Sequence, residues 1–165
     1  MKPTDQLGWE HFAAALRKRE SGGDYLVVNS YGFMGAYQFG MERLCDLGYT
    51  ARVSEGWRPE CFEWKGAWTR DRFLADSDEQ DNAFARHMNA WAGYLLKRTW
   101  ATDHLGQPLA AYAEGAEGEL TLSGMLGVCH LKGPGGLRKL LQGQDNADGY
   151  GTKASEYMVL CNGYF

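Results

Sequence analysis

No apolar run in this sequence approaches the ~20 residues that a membrane-spanning helix needs. The N-terminus also lacks the charged-then-apolar pattern of a signal peptide, so any passage out of the cytoplasm is expected to use other machinery. Clustered basic charge is missing too. The formal net charge is −4 with Lys and Arg spread along the chain, which argues against a nucleic-acid binder because neutralising phosphates takes a concentrated basic surface. It counts mildly against long-range attraction to an anionic cell wall. No CxxC pair is present, and Cys129 and the adjacent His130 fall on different helix faces, so no zinc site is expected. His11, His87, His104 and His130 lack zincin spacing, which removes a metallopeptidase; a wall peptidase of another kind would need a Cys-His pair. No Lys-Ser or Lys-Thr follows Gly133-Pro134-Gly135-Gly136, so these glycines are not a nucleotide loop. No metal and no cofactor are expected. Internal repeats, low-complexity tracts and linkers are also lacking.

What is present suits one self-sufficient core. The 165 residues fall within the ~100–200 of a single domain, read as residues 1–165. At this size roughly 68–70% of the unfolded surface can be buried without a metal or disulfide staple. Cys45, Cys61, Cys129 and Cys161 permit three pairings that sequence does not rank. They read mainly as buried thiols, because Cys129 and Cys161 sit at apolar helix positions.

Helical periodicity dominates. Trp9, Phe12, Ala13 and Leu16 mark a first helix from Asp5 to Arg19, with Arg17, Lys18 and Arg19 late, where they suit the helix dipole. Ser21-Gly22-Gly23-Asp24 breaks it, and the β-favouring Tyr25-Leu26-Val27-Val28 predicts a short hairpin-like excursion turning at Asn29–Gly32. Met41 to Leu47 reads as a short helix stopped by Gly48, and the stretch from Tyr49 to Trp68 has too weak a period to assign. Ser77 followed by Gln80 resembles a capping box opening a long helix through Phe84, Met88, Trp91 and Leu95 to about Trp100. Helices around Leu122–Cys129, Leu137–Leu141 and Ala154–Cys161 follow, punctuated by loops at Gly133–Gly136 and Gln142–Gly151. The expected class is mainly α with a small β element after the first helix. Most tryptophans read as core, with Trp57 or Trp64 the candidates for stacking on a ligand.

Glu20 follows Leu16 by one helical turn, so a helix persisting that far puts its carboxyl on the edge of the apolar face. Burial disfavours the charged form, and a lift from about 4.3 to about 6 corresponds to roughly 2.3 kcal/mol, which suits a general acid near neutral pH. The alternative is an exposed helix end or an ion pair with a nearby Arg. The second feature is Gly32-Phe33-Met34-Gly35-Ala36-Tyr37-Gln38-Phe39-Gly40. Glycines admit a close ligand, aromatic faces stack on sugar rings, and the Gln38 amide can donate to and accept from hydroxyl or N-acetyl groups. Its alternative is a tight turn pinned into the core by Phe33 and Phe39.

Together, Glu20-Ser21-Gly22-Gly23-Asp24-Tyr25, Asn29, Tyr31-Gly32 and Gly35-Ala36-Tyr37-Gln38-Phe39-Gly40 resemble the Glu-Ser-Gly-Gly … Gly-x-x-Gln-Phe signature of lysozyme-like proteins. Soluble lytic transglycosylases and resuscitation-promoting factors carry versions of it. Weaker similarity at Phe73-Leu74, Gln80, Gly133–Leu137 and Gly151–Met158 points to phage- and secretion-associated members, including the C-terminal lysozyme domain of type VI secretion effectors. The resemblance implies a helical lysozyme-like fold, Glu20 as catalytic acid, and a saccharide cleft with Asn29, Tyr31, Tyr37 and Gln38 on the substrate. It further implies peptidoglycan glycan strands as the partner and action at the bacterial cell wall, in the periplasm of a target cell, after delivery by secretion or phage machinery. A cognate immunity protein is a candidate partner, and a monomer is expected.

The implied reaction is muramidase cleavage of the β-1,4 bond between N-acetylmuramic acid and N-acetylglucosamine. Hydrolysis normally uses two carboxylates, about 5–5.5 Å apart for retention and about 6.5–9.5 Å for inversion. Asp24 is the nearest candidate, and the intervening chain, reaching at most ~13–14 Å, leaves both separations open. Asp24 can equally be a turn-former accepting backbone hydrogen bonds. Without a second carboxylate, Glu20 acting as acid and then base would yield 1,6-anhydromuramic ends, the lytic transglycosylase outcome. A non-catalytic peptidoglycan-binding module is the alternative from another class.

Overall fold

The computed structural model describes residues 6–147 and 151–165. It is 54% helical with one small two-stranded sheet, so the mainly α class is observed. The predicted helix start at Asp5 and residues 148–150 of the predicted Gln142–Gly151 loop lie outside the described residues. The chain forms two compact units, Leu16–His87 and a unit joining residues up to Ala15 with Met88–Phe165.

Helix α1, Gln6–Ser21, runs two residues past the predicted end. It stops because Gly22 adopts a left-handed φ of 68°, letting the Gly22 and Gly23 amides close on the Lys18 and Arg17 carbonyls. In the Leu16–His87 unit, α2 (Met41–Asp46) leads into an antiparallel pair, β1 (Thr50–Arg52) with β2 (Phe62–Trp64), Ala51 opposite Glu63. The regular sheet thus falls in the stretch with no readable period. The predicted excursion at Tyr25–Gly32 contributes only one isolated bridge, Val28 to Met34, and Met34 is bridged in turn to Phe39. Helix α3 (Arg70–Ala75) supplies Phe73, whose buried ring is met edge-on by Phe39 and Tyr49, with centroids 6.2 and 5.2 Å away. Such pairs add about 0.5–1.5 kcal/mol each beyond burial.

Helix α4, Ser77–Leu95, corrects two expectations. Its start is capped by Asp76, whose carboxylate accepts the Glu79 N–H at 2.9 Å, so Ser77 and Gln80 are not a capping box. Gln80 is fully buried and bonded elsewhere. The helix also ends at Leu95 rather than near Trp100, because Arg98 is extended (φ −122°, ψ 114°) and starts a separate short α5, Thr99–Thr102.

In the other unit, α6 (Leu122–Leu141) and α7 (Ala154–Cys161) pack closely. A side chain at Gly127 would lie 2.5 Å from Cys161 Sγ and 2.8 Å from the Tyr157 carbonyl oxygen, so the helices meet backbone to backbone there. The glycine-proline segment predicted as a loop is instead a kink. Gly133 leaves helical geometry (φ 66°, ψ 177°), and Pro134 begins a second helical stretch, where its missing N–H is no loss. All the cysteines are free thiols, with Cys61, Cys129 and Cys161 buried and Cys45 half-buried. Among the described residues no helix is long and apolar enough to cross a membrane.

Candidate functional site

The Glu-Ser-Gly-Gly and Gly-x-x-Gln-Phe segments are far apart in sequence terms but are joined by hydrogen bonds. Glu20 stands in the last turn of α1 and is half-buried. Its neighbour Ser21 donates its hydroxyl to the Ala36 carbonyl at 2.9 Å, with the Arg17 carbonyl at 3.1 Å, and accepts the Gly23 N–H. The Gly35 N–H donates to Val27 at 2.8 Å, and Met34 and Phe39 exchange a pair of backbone bonds that closes the turn between them.

Gln80 of α4 clamps this turn from within the core. Its Oε1 accepts the Ala36 N–H at 2.9 Å, while its Nε2 donates among the carbonyls of Tyr25, Phe73 and Leu74 at 3.0–3.1 Å. Gly35, at φ 73°, is required twice over, since a Cβ there would sit 2.1 Å from Gln80 Oε1. The next residue of α4, Asp81, holds the polar side of the same assembly. Its Oδ1 accepts from the Tyr37 hydroxyl at 2.8 Å, the Tyr25 hydroxyl at 2.9 Å and Arg17 Nη1 at 3.2 Å. Arg17 Nη1 also donates to the Tyr37 oxygen at 3.0 Å.

Burial, followed by the hydrogen bond to Asp81 and its negative charge, pushes both tyrosines up, so they remain donors. For Arg17, burial acts downward, but the hydroxyls of Tyr37 and Tyr25 and the Asp81 carboxylate outweigh it and hold the guanidinium charged. A positive charge is therefore fixed one turn before Glu20 on α1.

The predicted substrate residues divide by position. Gln38 has the only left-handed non-glycine backbone among the described residues, φ 50°. Its Nε2 donates to the Gly35 carbonyl at 3.1 Å, its amide oxygen makes no bond within the described residues, and the residue is half-exposed. That combination of strained backbone and open acceptor is what a ligand-facing residue presents. Tyr31 is 60% exposed at the loop tip. Asn29 builds that loop, its Oδ1 accepting the N–H groups of Tyr31 at 2.9 Å and Phe33 at 3.1 Å. Tyr37 is buried, its ring stacked on Phe84 with centroids 3.9 Å apart, so its faces are not offered to a sugar. Asp24 behaves as the turn-former alternative described, its Oδ1 accepting the Leu26 N–H at 2.8 Å.

Sequence reasoning missed Arg17, Tyr25, Gln80 and Asp81. A signal for Gln80 existed: it lies one turn before Phe84, on the apolar stripe of α4, the same argument that singled out Glu20. Among the described residues no group of His, Cys, Asp and Glu is arranged to hold a metal ion. The other unit contains a pocket of about 280 Å³ lined by Trp9, Met88, Leu96, Leu122, Leu126 and Phe165, with Asn89 and Lys97, and it includes none of the predicted site residues. Compared with protein-family models, curated proteins and solved structures, the chain matches none.

Proposed function

We propose that this chain cleaves the glycan strand of peptidoglycan as a muramidase of lysozyme-like fold, with Glu20 protonating the departing glycosidic oxygen. The observation that carries the reading is the Ser21–Ala36 hydrogen bond, which makes one unit of the helix end bearing Glu20 and the turn bearing Gln38. An acid and an amide acceptor held by a common scaffold are what glycosidic cleavage needs: one group to donate a proton, another to hold an N-acetylated ring against it.

A second reading, lytic transglycosylation, is favoured by the turn at Asp24. One oxygen of that carboxylate, Oδ1, accepts the Leu26 N–H, and Asp81 accepts from Arg17 at both oxygens and from Tyr25 and Tyr37 at Oδ1. With no second base acting, Glu20 would return to take the proton of the muramic 6-hydroxyl, closing an anhydro ring. Under either chemistry the chain would act on the wall of a target cell after delivery by secretion or phage machinery, and a cognate immunity protein would be its natural inhibitor.

Digesting purified peptidoglycan and reading the released fragments by mass spectrometry tests the proposal. Reducing N-acetylmuramic ends support the muramidase, and 1,6-anhydromuramic ends assign the transglycosylase instead. Fragments cut only in the stem peptides would overturn both.

A further inference from the structure

The β1–β2 hairpin exposes an aromatic ring that the core does not use. Trp57 is 71% exposed, the most exposed of the large apolar side chains, on a connection whose residues from Val53 to Glu60 are all exposed. An indole left in water forgoes the 1.5–3 kcal/mol or so that burying a large apolar side chain supplies. The ring is nevertheless held in place. The Arg52 guanidinium carbon lies 4.5 Å from the Trp57 ring centroid and 4.8 Å from that of the buried Phe62. Arg52 also donates to the Gly56 carbonyl, which fixes the turn that carries Trp57. The indole is thus layered on a cation that rests on a core aromatic, with its exposed surface turned to solvent.

The connection that carries this ring touches a loop of the candidate site. A Cβ at Gly32 would come 3.2 Å from Cγ of Pro59, so the loop of Asn29, Tyr31 and Gly32 lies against the hairpin connection close to Trp57. On the hairpin Thr50–Trp64, Arg52 and Arg58 nearly balance Glu55, Glu60 and Glu63, with Arg58 4.0 Å from Glu60, so it offers no concentrated basic surface for phosphate or nucleic acid. An uncharged pyranose face, apolar on its C–H side, is the chemistry a pre-oriented indole accepts.

We propose that Trp57, oriented by Arg52, is a remote subsite that stacks on a sugar ring of the glycan strand. The proposal rests on the glycan-cleaving reading of the Glu20 site. The test is co-sedimentation of the whole chain with purified, insoluble peptidoglycan, using Glu20→Gln to prevent turnover, alone and combined with Trp57→Ala or Trp57→Phe. The expected result is about a three- to tenfold weaker affinity for the alanine variant, with most of it restored by phenylalanine. Unchanged thermal unfolding is expected alongside, since the side chain is exposed. Equal affinity of the alanine variant would overturn the subsite while leaving the cleavage reading intact, whereas wild-type protein that neither binds nor cleaves peptidoglycan would overturn the cleavage reading and the subsite with it. A concentration-dependent dimer of the wild type that Trp57→Ala dissolves would overturn it differently, making the ring a protein interface.

Discussion

Replacing Gly35 by alanine probes the clamp on which the candidate site is built. Two costs add there. Alanine at φ 73° is in the left-handed region, worth ~1–2 kcal/mol. The new Cβ would also lie 2.1 Å from Gln80 Oε1 and 2.8 Å from its Cδ. Gln80 is fully buried with its nitrogen held by backbone carbonyls, so it yields only by giving up the Ala36 N–H, and a buried polar group left unpaired costs ~1–3 kcal/mol. The expected loss is about 2–5 kcal/mol. Gly22→Ala is the control: its φ is 68° but nothing lies within 4 Å of the new Cβ, so it should lose only about 1–2 kcal/mol. Urea unfolding followed by tryptophan fluorescence gives both values from the midpoint shift at unchanged slope. Glycan cleavage by the Gly35 variant should fall as well, because the Gln38 turn moves with Ala36. Equal losses at the two glycines would refute the argument that Gln80 fills the space beside Gly35.

Other consequences follow from the same packing and charge. Gly127→Ala should cost about 1–3 kcal/mol, because its Cβ would meet the Tyr157 carbonyl at 2.8 Å as well as Cys161, and a denaturation midpoint equal to wild type would show that α6 and α7 are not in close contact. Alkaline pH should unfold the protein. Tyr25, Tyr37, Tyr49 and Tyr112 are all pushed above the ordinary value of about 10, chiefly by burial, so the native state holds protons that the unfolded state releases. Their contribution is complete below about pH 10 and is lost as pH rises through the raised values, and Tyr37→Phe should flatten that fall in a pH series of urea midpoints. Parallel pH curves for the two proteins would contradict the buried hydroxyl.

Helix positions were legible because a local period reports a buried face. Phe12, Leu16, Phe84, Met88, Leu95, Met125 and Leu126 all lie in the core, as their spacing implies. The sheet was not legible, since strands as short as Thr50–Arg52 and Phe62–Trp64 hold too few residues to establish an alternation. Glu20 at the edge of the first helix could be placed from its spacing to Leu16, but the partners that organise its surroundings are long-range. Gln80 and Asp81 reach Ala36 and Tyr37 across more than forty residues of sequence, and a polar residue in a charged helix start looks the same whether it caps locally or clamps a distant turn. Tyr37 shows the converse: the resemblance puts it on the substrate, yet its buried ring stacks on Phe84 and its hydroxyl donates to Asp81.

The central claim is that Glu20 carries the chemistry. Turbidity clearing of purified peptidoglycan by wild type and by Glu20→Gln, matched for folding by circular dichroism, tests it most directly. The account predicts a loss of about 10²–10⁴-fold in rate for the variant, the range a general acid supplies. Clearing at the same rate by both proteins would contradict it and remove Glu20 from the mechanism.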